Sequence, residues 1–309
     1  MCESRASCSD KMAHCCACHA YRACRAHAIA ALATLAKLAR DIYKQRIIAN
    51  MKKITLQGAN NIRDLGGTPV IGGGSVKYGI LFRGSALHAI TEADQNILFN
   101  ELGIKVVYDL RTGWERDKKP DLLPANVEYK FNPFYDINEV GIEYTQAAEG
   151  TKSDGKDIAC DPCHYYTSLA NPLTVGQMKK GVHNIFADIC VGKPVYEHCS
   201  GGKDRAGIMA LCLLHVLGVS EEAILQDYIA TNIDRDANIT PIYERFLRLC
   251  DGDEDFAWDM TRAHSARAEN IDAFYSAVAK DYGSMEDFIH NQLGVTDELR
   301  KHWQSVCVK

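Results

Sequence analysis

The sequence contains no apolar stretch long enough to cross a bilayer. Its longest uncharged, mostly apolar run, residues 206–220, has 15 residues, short of the roughly 18 to 20 that a spanning helix requires. It has no excess of basic residues either: Lys and Arg number 35 against 40 Asp and Glu, a formal charge of -5. That balance argues against the broad positive footprint of a nucleic-acid binder, so any anionic ligand must be held by a local site. There is no internal repeat, no low-complexity linker and no apolar h-region of a secretory signal near the N-terminus. What remains is the ordinary mixture of a globular chain, 309 residues with 47% hydrophobic and 24% charged.

Charge and cysteine divide the chain at Met51. Residues 1–50 hold 8 basic and 3 acidic residues, leaving 27 and 37 for the remainder, and six of the 13 cysteines (Cys2, Cys8, Cys15, Cys16, Cys18, Cys24). An Ala-rich stretch with helical spacing, 26–39, follows. This Cys-rich basic extension fits a disordered or partly helical tail, an Arg-containing targeting segment, or translation from upstream of a start at Met51. Cys15, Cys18, His19, Cys24 and His27 are zinc-type ligands, but they lack the two separated clusters such sites normally pair. Residues 51–309 can bury roughly three quarters of their unfolded surface without disulfides. Their seven scattered cysteines form no framework of bridges, which points to a reducing, cytoplasmic compartment.

Within 51–309 the pattern alternates. Residues 68–70 and 76–83 flank Gly72, Gly73 and Gly74 as a hairpin, and Thr91 with Asp94 marks the capped start of a helix to Leu102. The apolar run 104–110 (IKVVYDL) reads as a parallel strand buried on both faces. A helix over 174–190, a strand over 194–198 and a helix over 205–217 closed by Gly218 follow. Five helices are expected beyond Ser220, over 221–231, 241–250, 262–281, 285–292 and 297–306. The result is an α/β domain with helices on the faces of its sheet and a helical C-terminal portion.

The informative segment is 195–207, VYEHCSGGKDRAG. A strand ends at His198, a loop of small and polar residues follows, and a helix begins near Arg205. A loop of this length can turn successive N–H groups onto one point in front of a helix N-terminus, a cradle for a tetrahedral phosphate. Arg205 closes it, since a guanidinium donates two parallel hydrogen bonds to two phosphoryl oxygens. Cys199 at its base feels the same field, which favours the thiolate and makes it a nucleophile. The spacing alone is weak, because Cys16 and Arg22 share it, but that copy lacks both glycine and a preceding strand. A nucleotide-binding loop would need Gly and Ser or Thr where Glu197 and Asp204 stand.

HCSGGKDRAG resembles the HCxxGKDRxG signature of the atypical tyrosine/serine protein phosphatases, found mostly in bacteria and fungi, some of which also act on phosphoinositides. Residues 61–67 (NIRDLGG), 81–87 (LFRGSAL), 106–115 (VVYDLRTGWE), 217–232 (LGVSEEAILQDYIATN) and 282–295 (YGSMEDFIHNQLGV) resemble further family segments in the family's order. The resemblance implies a cysteine-phosphatase-like, mostly parallel central sheet over 51–309, and hydrolysis of phosphotyrosine, or phosphoserine and phosphothreonine, in proteins through a phosphocysteine intermediate. A phosphoinositide phosphatase is the alternative, and a non-catalytic phosphate-binding module the remote one.

By the same resemblance Cys199 is the nucleophile, Arg205 the clamp and Asp204 the general acid, with Asp136 and Asp161 as backup acids. Amides from Ser200, Gly201, Gly202 and Lys203 line the cradle, Lys203 adds charge at the rim, and Asp109 and Arg111 lie at a strand end where open sheets place ligands. Arg63 and Asp64 are read as an ion pair, and His198 as orienting the loop. Cys160, Cys163 and His164 form a CDPCH cluster that is expected to lie in a loop. The arginine and the amides supply the positive field, so the expected site holds no metal and no cofactor. One departure stands out: the family usually has Thr or Ser after the arginine, and this chain has Ala206.

Overall fold

The computed structural model describes residues 52–135, 162–236 and 239–309, which fall within one compact unit spanning Ile48–Lys309. Six strands form a single sheet: β1 (Lys52–Ile54), β2 (Ile62–Asp64), β3 (Leu81–Gly84), β4 (Val106–Asp109), β5 (Glu128–Phe131) and β6 (Val195–His198). Their order is β1-β2-β3-β6-β4-β5. β1, β2 and β3 pair antiparallel, whereas β3, β6, β4 and β5 run parallel. The run IKVVYDL becomes β4, buried along its whole length, as a strand covered on both faces must be.

One face packs on an apolar cluster including Ile62, Phe82, Val107 and Tyr196 with Leu98 and Phe99. The last two belong to α1 (Glu92–Gln95), which continues as a π-helical turn over Asn96–Glu101. Thr91 caps α1 in a full capping box with Asp94. Short α2 (Gly113–Lys118) follows β4, and α3 (Pro162–Ser168) precedes α4 (Pro172–Cys190). On the opposite face α4 packs on β6, and α5 (Asp204–Val216) packs on β3 and β6. The C-terminal portion is helical as expected, with six helices in place of five because the one expected over 262–281 is broken at residues 264–267: α6 (Glu221–Asp236), α7 (Ile239–Leu249), α8 (Glu254–Ala263), α9 (Ala268–Tyr282), α10 (Met285–Asp287, running into a π-helical turn, Phe288–Gln292) and α11 (Asp297–Cys307).

Three expectations require correction. The hairpin over 68–83 reduces to isolated bridges, Pro69 with Ser75 and Val76 with Val308. The strand that forms, Leu81–Gly84, instead pairs with β2 and β6. Arg63 and Asp64 do not pair with each other, because successive side chains on a strand leave from opposite faces. Arg63 bonds Asp227 while Asp64 accepts from the amides of Gly66 and Gly79. Cys163 and His164 lie in helix α3 rather than a loop, with the Cys163 thiol donating to the Glu269 carbonyl at 3.6 Å. Cys160, Asp136, Asp161 and the cysteine cluster of residues 1–50 lie outside the described residues.

The central strand carries an unusual burden. In the register of β6, Glu197 stands opposite Arg83 on one side and Tyr108 on the other, fully buried. Neither carboxyl oxygen has a hydrogen-bond partner among the described residues, and the Arg83 Nε is 4.0 Å away. Burial pushes this carboxyl up to about 8, against the pull of Arg83 and with the help of Asp227. In the unfolded chain a Glu ionises near ~4.3. A carboxyl raised by folding favours the fold below its unfolded value and loses that contribution as pH climbs toward the folded one. The melting temperature of Glu197→Gln relative to the parent should therefore rise between about pH 5 and about pH 8 by several degrees, measured by circular dichroism. Parallel curves for the two proteins would contradict the buried neutral acid.

Candidate active site

The loop between β6 and α5 is built by what its carbonyls do. The Cys199 carbonyl accepts from His198 Nδ1 at 3.1 Å, and that of Ser200 from the Ala86 amide at 3.2 Å. The Gly201 carbonyl accepts from Asn61 Nδ2 at 3.1 Å, and those of Gly202 and Lys203 both accept from Arg83 Nη2, at 2.8 and 3.2 Å. Every carbonyl from Cys199 to Lys203 is thus held from outside the loop. In a trans peptide the N–H points opposite to the C=O, so the amides of residues 200–204 are turned to the other side. They precede the N-terminus of α5, whose partial charge also favours an anion.

Glycine is required at one step of this turn. Gly202 has φ +67°, in the left-handed region where a side chain is strained. A Cβ there would lie 2.3 Å from the carbonyl carbon of Gly84 and 2.4 Å from its oxygen.

Cys199 sits at the base of the loop with 2% of its surface exposed. Arg205, in the first turn of α5, gives Nη1 and Nη2 to the two carboxylate oxygens of Glu115, while its Nε is buried without a partner among the described residues. Glu115 is the third residue of α2, locked by a capping box with Thr112, and it also accepts from the Ser200 hydroxyl. Burial alone would raise the Glu115 carboxyl. The Arg205 bonds and charge, with Ser200, outweigh that and hold it far below the usual carboxylate range. Glu115 lies within VVYDLRTGWE, and the loop signature at 195–207 does not reveal its role. Its signal was the T-x-x-E spacing immediately after the strand-end DLR.

Asp204 is partly exposed, and its Oδ1 receives the Tyr166 hydroxyl and the Lys203 ammonium, the latter at 3.2 Å. Burial pulls this carboxyl upward, but Lys203, then Tyr166 and Arg205, bring it below its ordinary value. The carboxyl is therefore held ionised, by Lys203 and Tyr166 rather than by Arg205 or Arg111 alone. Lys203 is itself buried and donates to the His264 carbonyl at 3.0 Å, so it is tied down behind the loop instead of standing free at its rim.

Asp109 and Arg111 form a buried support. Arg111 gives Nε and Nη2 to Asp109, Nη2 also to Asp121 at 2.8 Å, and Nη1 to the Lys119 carbonyl. With 1% exposure, it is engaged with the protein rather than presented to a ligand. His198 stands between the same two carboxylates, its Nε2 3.1 Å from Asp121 and its Nδ1 4.0 Å from Asp109. Burial lowers the His198 imidazole, but Asp121 and Asp109 raise it above its ordinary value overall. Asp109, Asp121 and His198 are spaced as metal ligands could be, yet the Arg111 guanidinium already bridges both carboxylates and supplies the positive charge between them.

A thiol at the end of a central parallel strand, under a loop whose carbonyls are held from outside and beside the arginine that opens the next helix, defines a cysteine-dependent phosphatase. The chain belongs to the tyrosine phosphatase family, whose model matches residues 54–308. It is 26% identical over 193 residues to the triple specificity protein phosphatase PtpB of Mycobacterium tuberculosis, covering 57% of this chain and 68% of that one. It is 27% identical over 251 residues to a provisionally named tyrosine-protein phosphatase of Cupriavidus necator, covering 79% and 85%. Among solved structures it is similar to the core catalytic domain of the PP-IP phosphatase SIW14 of S. cerevisiae, at 12% identity over 72% of this chain and 94% of that one, with a TM-score of 0.29.

The close approach at Gly202 makes a sharp prediction. Gly202→Ala should strain the loop by about 1–3 kcal/mol, lowering Tm by roughly 3 to 10 °C. It should cost about 100-fold in kcat/KM for p-nitrophenyl phosphate, because an ångström of displacement in a positioning loop has that scale. Unchanged turnover would mean that the loop tolerates a side chain the geometry excludes.

Proposed function

We propose that the chain hydrolyses phosphotyrosine in proteins, with Cys199 as nucleophile, Arg205 and the amides of residues 200–204 as the phosphate cradle, and Asp204 as general acid. The phosphatase domain is taken as residues 51–309, with residues 1–50 an appended extension, and a cytoplasmic setting suits the thiols that are unbridged among the described residues. The observation that carries the reading is the outward anchoring of all five carbonyls from Cys199 to Lys203, which leaves a concave array of donors above a thiol. Glu115 holds the two Nη atoms of Arg205, so the guanidinium offers its Nε edge to a phosphoryl group. The depth of Cys199 favours a phosphate on a long aryl arm over one on a short serine.

In the first step the Cys199 sulfur forms a bond to phosphorus as the P–O bond to tyrosine breaks. The departing oxygen takes the electron pair and a proton from Asp204. In the second, water attacks phosphorus, the S–P bond breaks, and the water proton returns to Asp204, releasing inorganic phosphate. The amides and Arg205 stabilise the charge on the phosphoryl oxygens in both transition states. The ionised resting state of Asp204 requires that it gain its proton as the phosphate dianion enters, since a neighbouring anion raises a carboxyl.

Full-length protein with Cys199→Ser should lose turnover entirely while still binding phosphate, since a hydroxyl keeps the loop's shape but is not ionised. Turnover near the parent rate would end the mechanism. A panel of phosphotyrosine and phosphoserine peptides and phosphoinositides tests the substrate class, and preference for an inositol lipid would replace phosphoprotein with the second reading.

Ala206, fully buried, supplies no hydroxyl to the sulfur when the thiolate leaves phosphorus. A hydrogen bond to a charged group is worth about 1.5 to 3 kcal/mol, and each ~1.4 kcal/mol is tenfold in rate. Breakdown of phosphocysteine should therefore limit turnover and give a burst of released alcohol. Ala206→Ser, the smaller addition for a packed position, should shrink the burst and raise the steady rate about tenfold. Absence of a burst in the parent, by stopped flow, would show that another donor serves the sulfur.

A further inference from the structure

A file of buried donors runs from α9 to the first turn of α5. Asn270 gives an Nδ2–H to the Tyr228 hydroxyl at 3.0 Å, the hydroxyls of Tyr228 and Tyr166 bond each other, and the Tyr166 hydroxyl reaches Asp204 Oδ1. Asn270, Tyr228 and Tyr166 are each 1% exposed, and the two rings meet edge to face with centroids 6.0 Å apart. The direction of the file is forced. An amide NH2 only donates, and the same group also points at the Ser265 carbonyl at 3.5 Å, which fixes its orientation. Tyr228 therefore accepts from Asn270 and donates to Tyr166, and Tyr166 donates to the carboxyl. Lys203 approaches the same Oδ1 at 3.2 Å. With two donors on one oxygen, a proton on Asp204 must reside on the other.

We propose that Tyr166 is a positioning residue for proton transfer, holding Asp204 by Oδ1, with Tyr228 and Asn270 behind it, so that the transferable proton is carried on Oδ2. The proposal rests on Asp204 being the general acid. As the P–O bond breaks, the Oδ2 proton passes to the leaving oxygen and Asp204 is left ionised, the form that Tyr166 and Lys203 both favour. Water restores the proton in the second step. The groups facing Asp204 are Lys203 from the loop, Arg205 on its own helix, Tyr165 and Tyr166 from α3, and Tyr228 from α6. Burial, then the Asp204 charge, holds the Tyr166 hydroxyl well above its ordinary value, so it stays a donor over the working range. Removing it takes away one of the influences that lower Asp204. Since the acid must be protonated to act, the basic limb of the pH profile should move to higher pH.

The test uses full-length protein and two substrates that differ in their need for a proton. Phenol ionises near ~10, like the tyrosine side chain, so phenyl phosphate depends on the acid, whereas p-nitrophenolate leaves readily without one. Tyr166→Phe should cut kcat/KM for phenyl phosphate about tenfold and for p-nitrophenyl phosphate less than about twofold, within the range general acids supply. Its basic limb should shift upward. Asp204→Asn should show the same asymmetry more strongly, and the double variant should be no worse than Asp204→Asn. Equal losses on both substrates, or none, with an unmoved basic limb in Tyr166→Phe would overturn the proposal while Asp204→Asn kept its asymmetry. Equal losses in Asp204→Asn itself would remove Asp204 as the acid and the proposal with it. Should Tyr166→Phe fail to fold, Tyr228→Phe carries the same comparison with a smaller expected asymmetry, and its absence there would overturn the idea equally.

Discussion

Asp227 lies where two guanidinium groups converge beneath the phosphate loop, and the loop's shape follows from that meeting. Arg63 reaches it from β2 through Nε at 2.6 Å, and Arg83 from β3 through Nη1 at 2.6 Å. The other arm of Arg83 holds the carbonyls of Gly202 and Lys203, and Arg63 in turn fixes Asn61 through its side-chain oxygen, which places the Asn61 amide on Gly201. Three of the five outward carbonyls therefore depend on one buried carboxylate. Breaking such a buried pair leaves an uncompensated charge and costs about 3–5 kcal/mol. Stability and the shape of the loop are here properties of the same cluster.

A second support stands on the other side of β6. His198, Asp109, Arg111 and Asp121 bind the end of β6 to the end of β4 and to the segment after α2, while Asp121 also holds the Leu87 amide at 2.7 Å. Cys199 is thus suspended between an Arg–Asp–Arg group on one face of the sheet and a carboxylate–imidazole–guanidinium group on the other. Both groups hold the loop and the end of β6 through buried polar contacts. Such preorganisation is the main resource of an enzyme that relies on fixed dipoles.

What could be read in advance was local. The segment VYEHCSGGKDRAG carries strand, turn and helix signals within a dozen residues, so β6, the loop and α5 were legible, as was β4 from its apolar run. Capping at Thr91 and the closure of α5 at Gly218 were legible for the same reason. β1 and β2 were not, since three residues cannot display a period, nor was β5, whose residues are exposed or half-buried in sequence. Helix α8 was hidden by its acidic composition. The partners that shape the site were beyond local reasoning altogether. Glu115 meets Arg205 across 90 positions and Arg83 meets Asp227 across 144, and no spacing rule connects them. Family resemblance supplied the order of the segments but not which side chain grips which.

The outer strand β5 bears on how copies of the protein meet. A sheet edge exposes unpaired N–H and C=O groups that invite another strand, and charged side chains on the edge are one way to forbid it. Glu128 of β5 engages Lys193 at 2.8 Å, and Lys130 engages Asp188 at 2.7 Å. An incoming strand would have to strip water from this lattice of charges along a ladder only four residues long. The parallel half of the sheet ends in a border that discourages strand-to-strand polymerisation, so the protein can keep a hydrophobic sheet without making its rim a template for aggregation.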